Sequence, residues 1–173
     1  ILTRRAFSPY RTLLGEVTYS PTMAEWLTYV RSRAAYQSSG NTILPDENYA
    51  REVMQLFSFG LLRRNLDFSP QLSGGQPIPT YDNTIIAELA RVFTGLSYGR
   101  TNYSGTSFGN NTNRDLMAPM VCFPMNNPPG NTNYLAGGRT FHDFASKTIF
   151  DSQPGQAVVL PAVADSEAGC NLD

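Results

Sequence analysis

The sequence predicts a mainly α protein, an irregular helical domain followed by a long Asn/Gly/Pro-rich loop segment. Three observations predict it. Apolar residues recur at three-and-four spacing in separate stretches before residue 96. Those stretches are bounded by helix start and stop residues: Ser20-Pro21, Pro45-Asp46, Asp82-Asn83, Gly60 and Gly95. From Ser97 to Gly138 the periodicity stops, and Asn, Gly, Ser, Thr, Pro and Tyr dominate. The expectation is helices near 4–14, 21–35, 46–59 and 82–94 in one domain over 1–173, with a helical part, 1–96, and a loop-rich part, 97–173.

Tyr10, Leu13 and Leu14 mark a first short helix ending near Gly15. Ser20 is a suitable N-cap, and Pro21 suits the first helical position. Met23, Trp26, Leu27 and Val30 then form an apolar stripe. Trp26, the one tryptophan, reads as core, with ligand stacking as the other reading. Residues 31–41 are polar, and Ser38 to Asn41 reads as a loop. In the third helix Asp46 caps the first turn, and Gly60 takes the C′ position. Tyr49, Val53, Leu56 and Phe57 share one side of it. Glu47, Asn48, Arg51, Glu52 and Gln55 share the other, with Glu47 and Arg51 placed for an ion pair. Residues 63–80 read as a loop. Ile85, Ile86, Leu89, Val92, Phe93 and Leu96 face the core from the fourth helix, and Glu88 and Arg91 share its polar side. The third and fourth helices are expected to pack through Tyr49, Val53, Leu56, Leu89, Val92 and Phe93. Thr101 to Asn113 reads as mobile, and Val121-Cys122-Phe123 is the one strand-like run.

At 173 residues and a net charge of −1, the chain can bury a core but has no electrostatic footprint for nucleic acid. No apolar run is long enough to span a membrane. Of the 13 basic residues only Lys147 is a lysine. Cys122 and Cys170 lie in loop-like sequence, in no CxxC motif. They read either as a disulfide, if the protein is exported, or as two unrelated thiols.

The stretch from Pro45 to Gly60, PDENYAREVMQLFSFG, resembles the signature of the bacterial domain-of-unknown-function 1800 family. Asp46 stands where the family has Asn, and Gln55 where it has Glu. Tyr10 to Leu14 with Ser20 to Met23, the helix ending Ala90-Arg91-Val92-Phe93-Thr94-Gly95, and Phe141-His142-Asp143 with Lys147 resemble further family elements in order. The resemblance implies a mostly helical, usually exported protein and names no reaction. It implies a chain that starts inside the family pattern, a fragment without the family's terminal helices. Relatives are often encoded beside another exported protein with a phosphatase-like fold.

The resemblance puts weight on Glu47, Asn48, Arg51, Glu52, Arg91, His142, Asp143 and Lys147. A single histidine excludes two- and three-histidine metal sites within this sequence, although one His with carboxylates suits a harder divalent ion. No G-x-S-x-G elbow and no phosphate-binding glycine loop is present. Three readings remain. In the first, Arg51 and Arg91 bridge carboxylates between packed helices, and His142 pins the long loop. In the second, Glu47, Glu52, His142 and Asp143 form a catalytic or metal site. In the third, the cluster binds a ligand or partner. No metal site is assigned, and the cofactor is left open. The expected function is a structural or binding and assembly protein at the bacterial cell surface, with an exported companion protein or a glycan as partner. The alternative is an exported hydrolase acting on a polymer or glycan. Either way, His142 or Asp143 is expected within hydrogen-bond or one-water reach of Glu47, Arg51, Glu52 or Arg91.

Overall fold

Helices and small antiparallel ladders share one core in the computed structural model, which describes residues 1–99, 115–122, 141–149 and 158–162. The described helices are α1 (Leu2–Arg5), α2 (Tyr10–Thr18), α3 (Pro21–Trp26), α4 (Asn48–Gln55) and α5 (Asn83–Val92). The described strands are β1 (Tyr36–Ser38), β2 (Asn41–Ile43), β3 (Leu72–Ser73), β4 (Gln76–Pro77), β5 (Leu96–Ser97), β6 (Val121–Cys122), β7 (Lys147–Ile149) and β8 (Val158–Leu160). They pair in order as four two-stranded antiparallel sheets, β1–β2, β3–β4, β5–β6 and β7–β8.

This corrects the mainly α expectation. With helix at 31% and strand at 19%, the fold is mixed α/β. Two of the ladders are hairpins inside stretches read as loops. Ser39 and Gly40 sit at φ 49° and 83°, and Gly74 and Gly75 at 58° and 80°. Paired positive φ values make the two-residue turns whose twist matches antiparallel strands. Flanking strands of two or three residues are too short for an alternating pattern to register. Of the other two ladders, one joins distant segments, pairing Leu96 with Cys122, and one joins nearby segments, pairing Thr148 with Val159. Pairings of this kind carry no local sequence signature.

Helix bounds also move. The first expected helix is two pieces, and α2 runs through Gly15 to Thr18 instead of stopping there. The second ends at Trp26, because Thr28 at φ 61° turns the chain and Val30 N–H reaches back to the Ala24 carbonyl. That turn puts Tyr29 in the core and leaves Trp26 82% exposed, which overturns its core assignment. The third stops at Gln55, so Leu56 leaves the stripe and is exposed; Ala50 and Met54 are buried in its place. Of Asp82 and Asn83, both of which could cap this helix, Asp82 is the cap of α5, its carboxylate accepting from Ile85 N–H at 3.0 Å. The Cys122–Cys170 pairing and the segment 101–113 lie outside the described residues.

The centre of the core is aromatic. Tyr29 and Tyr49 stack with centroids 4.1 Å apart, and Phe93 meets Tyr49 edge-on at 4.8 Å. All three are buried, and α4 and α5 pack together here, with Val53, Leu89 and Val92 against the same cluster. The buried phenols have partners. Tyr29 donates to the Thr18 carbonyl at 2.7 Å, and the Tyr49 and Thr18 hydroxyls are 2.6 Å apart. Burial pushes the Tyr49 phenol up to about 12. The end of α2 is thus fastened to the α4–α5 pair by polar contacts inside an apolar core.

Tyr49→Phe removes the phenol from Thr18 and is expected to lower unfolding free energy by about 0.5–1.5 kcal/mol. Tyr49→Ala also opens a cavity and is expected to lower it by about 3–5 kcal/mol. Urea titrations of the two variants against the parent chain check both values.

Candidate functional site

Helix α5 places Glu88 and Arg91 one turn apart, with side chains 24% and 21% exposed. Gly95 then reverses the chain at φ 85°, so that residues 141–146 can cross the helix end. The crossing is close. A Cβ on Gly95 would sit 2.8 Å from the His142 Cβ and 3.0 Å from its backbone nitrogen. Only glycine meets both the conformation and the space here.

His142 is 5% exposed, and its Nδ1 lies 2.7 Å from the Thr94 carbonyl oxygen. That acceptor puts the proton on Nδ1. The Thr94 hydroxyl donates to the Arg91 carbonyl at 2.7 Å and accepts from Asp143 N–H at 2.9 Å. The Asp143 carboxylate receives the Arg91 fork, Nε at 2.7 Å and Nη2 at 3.1 Å, and also accepts from Ala145 N–H at 3.0 Å. Arg91 Nη1 reaches Glu88 at 2.6 Å, and Nη2 also donates to the Ser146 carbonyl. The second Glu88 oxygen accepts from Thr148 N–H at 3.0 Å. Lys147, 5% exposed, donates to the carbonyls of Asp143 and Ala145. Two carboxylates and two cations therefore balance in one half-buried clamp that holds residues 142–148 on α5.

The electrostatics follow from burial and pairing. Burial alone would push the Asp143 carboxyl up, but the Arg91 fork and the charges of Arg91 and Lys147 hold it below its usual value. Burial lowers the Lys147 ammonium, with Asp143 opposing. The Asp143 hydrogen bond raises Arg91. Burial lowers His142, the bond to Thr94 opposes that, and Lys147 lowers it further. The imidazole is neutral and structural in its contacts.

The signature helix lies apart from this clamp. Glu47 and Arg51 pair at 3.1 Å with side chains 38% and 41% exposed. Asn48 and Asp46 both bond Thr28: Asn48 Nδ2 donates to its hydroxyl at 2.7 Å, and that hydroxyl donates to Asp46 at 2.9 Å. The other Asp46 carboxylate oxygen accepts from Asn48 N–H at 2.9 Å, so Asp46 serves the first turn while Glu47 holds the N-cap position. Glu52 has one carboxylate oxygen buried without a hydrogen-bond partner among the described residues, as does the Tyr81 hydroxyl. Burial raises the Tyr81 phenol, the Arg51 charge opposes this, and the Glu52 charge adds to it.

The expected reach between the late segment and the helices is therefore made by Asp143 and Arg91, with Lys147 beside them. Glu47, Asn48, Arg51 and Glu52 make no hydrogen bond or ion pair with residues 141–149. Arg51 does not bridge a carboxylate between helices, because its partner is one turn away on its own helix. Glu88, Thr94 and Thr28 complete these arrangements. The spacing of Glu88 and Arg91 put them on one side of the helix, where they form an ion pair. Nothing local announced Thr94, or Thr28 with its positive φ. Among the described residues no group of three or more His, Cys, Asp or Glu side chains comes together as a metal site.

Arg91→Ala leaves two half-buried carboxylates without their cation and is expected to destabilise by about 3 kcal/mol, the lower end for broken buried pairs. Arg51→Ala should cost only about 0.2–0.5 kcal/mol. Chemical denaturation of both variants checks the contrast. His142 binds its proton less readily folded than unfolded, so its contribution to stability is complete above the unfolded value of about 6.5. That contribution falls as pH drops through 6.5 toward the lower folded value. Unfolding measured between pH 8 and pH 5 should show this loss, and His142→Gln should flatten it.

No curated protein and no solved structure matches the chain. Among the described residues no helix is long and apolar enough to cross a membrane. One family matches, described as protein of unknown function (DUF1800), over residues 1–169. With nearly its whole length matched, the chain belongs to the DUF1800 family.

Proposed function

We propose that this chain is a binding or assembly module of an exported bacterial protein acting at the cell surface, with the Arg91 clamp serving its architecture. One observation carries this reading. The charged groups best suited to chemistry are already committed inside the fold: Glu88, Arg91, Asp143, Lys147 and Nδ1 of His142 all bond to one another or to backbone. Export is what membership of the family implies. The partner would be an exported companion protein or a glycan.

A hydrolase acting on a polymer or glycan is the second reading, and one observation favours it. Glu52 keeps a buried carboxylate oxygen unbonded, and the charge of Glu52 is felt at the Tyr81 phenol. Buried polar groups without partners concentrate at working sites.

Chromogenic esters, phosphoesters and glycosides, together with a glycan array, separate the two readings. The expected result is retention on particular glycans or on the companion protein, with no turnover. Turnover abolished by Glu52→Gln and kept by Glu47→Gln, whose carboxylate is more exposed, would instead establish the hydrolase.

A further inference from the structure

A groove of about 1210 Å³ runs between α2 and the segment 115–120, with the end of α5 as its floor. Its apolar lining is Leu14, Val92, Phe93, Leu116, Met117 and Met120. We propose that this groove binds a single-chain amphiphile with an anionic head group. The proposal goes beyond the binding-module reading and does not depend on it, since an enzyme could carry the same groove.

The first support is Gly15. It lies inside α2, where glycine weakens a helix relative to alanine. Its φ is not positive, and among the described residues nothing lies within 4 Å of a Cβ built there. Neither backbone conformation nor packing among the described residues calls for a glycine. Gly15 instead lines the groove, and its missing side chain keeps the α2 wall open.

Charge supplies the second support. Glu16 is the one carboxylate on the lining, and Arg4 and Arg5 both bind it, holding its carboxyl down at about 2. Arg11 is exposed, also lines the groove, and has no hydrogen bond or ion pair among the described residues. The groove is therefore mainly apolar, with the Arg4–Glu16 pair and the hydroxyls of Thr12, Thr18 and Ser20 on its lining and the uncommitted guanidinium of Arg11 beside it.

The facing wall supplies the third. Met117 and Ala118 N–H donate to Asp115, and Met120 N–H donates to the Tyr19 carbonyl. An added peptide strand would find these donors already taken, whereas an alkyl chain needs none. Methionines adapt readily to such a chain.

Titration calorimetry of the full 173-residue chain with dodecanoate below its micellar concentration tests the proposal. One equivalent should bind, and dodecyltrimethylammonium should bind at least tenfold more weakly. Shortening to decanoate should weaken binding by about tenfold, the effect of two methylenes. Gly15→Phe fills the groove with a residue that does not disfavour helix as glycine does, so it should keep or raise the melting temperature while abolishing binding. Arg11→Gln should erase the preference for the anionic head. Equal binding of both head groups, or dodecanoate binding undiminished in Gly15→Phe, would overturn the proposal. So would self-association of the chain that Gly15→Phe abolishes, since a second copy would then be the occupant. Capture of an apolar peptide without any dodecanoate binding would overturn it too.

Discussion

The guanidinium of Arg91 is the interaction on which the late part of the described chain depends. Residues 141–149 approach α5 from a distant place in the sequence and bring buried polar groups with them. A planar fork accepted by one carboxylate in two places fixes both position and orientation, which a point charge does not. With Asp143 set, Glu88 takes the third donor and hands its other oxygen to the backbone of β7. The β7–β8 ladder can then form against α5. Without the fork, two carboxylates and an ammonium would be half-buried with no geometry to reconcile them.

The aromatic stack has the same role for the first half of the chain. Tyr29 reaches it only because the turn at Thr28 throws it inward, and that turn is held by Asp46 and Asn48 at the start of the signature helix. The polar face of that helix therefore tethers a strained turn as well as meeting solvent. The two halves meet at α5, whose Phe93 joins the stack and whose Arg91, two residues earlier, anchors the clamp. Thr94 and Gly95 then form the seam between them.

What was legible in the residues follows from range. The helix start at Asp82-Asn83, the Glu47–Arg51 pair and the separate apolar stripes that carry Tyr49 and Phe93 rest on spacings within one or two turns of a single helix, where periodicity and capping chemistry speak directly. Asp143 and Arg91 could be joined in advance only because charges carried on an ordered loop need partners and few were on offer. Leu56 was misplaced because helical spacing was extended past the end of α4, and Trp26 because its stripe was continued to Val30, beyond the turn at Thr28 that sends Tyr29 into the core instead. The strand-like run at Val121-Cys122 is β6, but the pairings were missed because strands of two or three residues have no measurable period and nothing near them in sequence names the partner. The groove was invisible, since a glycine facing open space looks the same in sequence as one ending a helix.

The single lysine of the whole sequence is buried under its own loop, its ammonium turned to carbonyl oxygens. All other positive side-chain charge is guanidinium. Reagents that acylate side-chain amines would leave the outer charge of this protein intact, and raising the pH past the range where ammonium groups discharge would not strip its cations. Its surface meets carboxylates and aromatic rings through flat, weakly hydrated groups whose charge does not vary with pH over the range in which proteins stay folded.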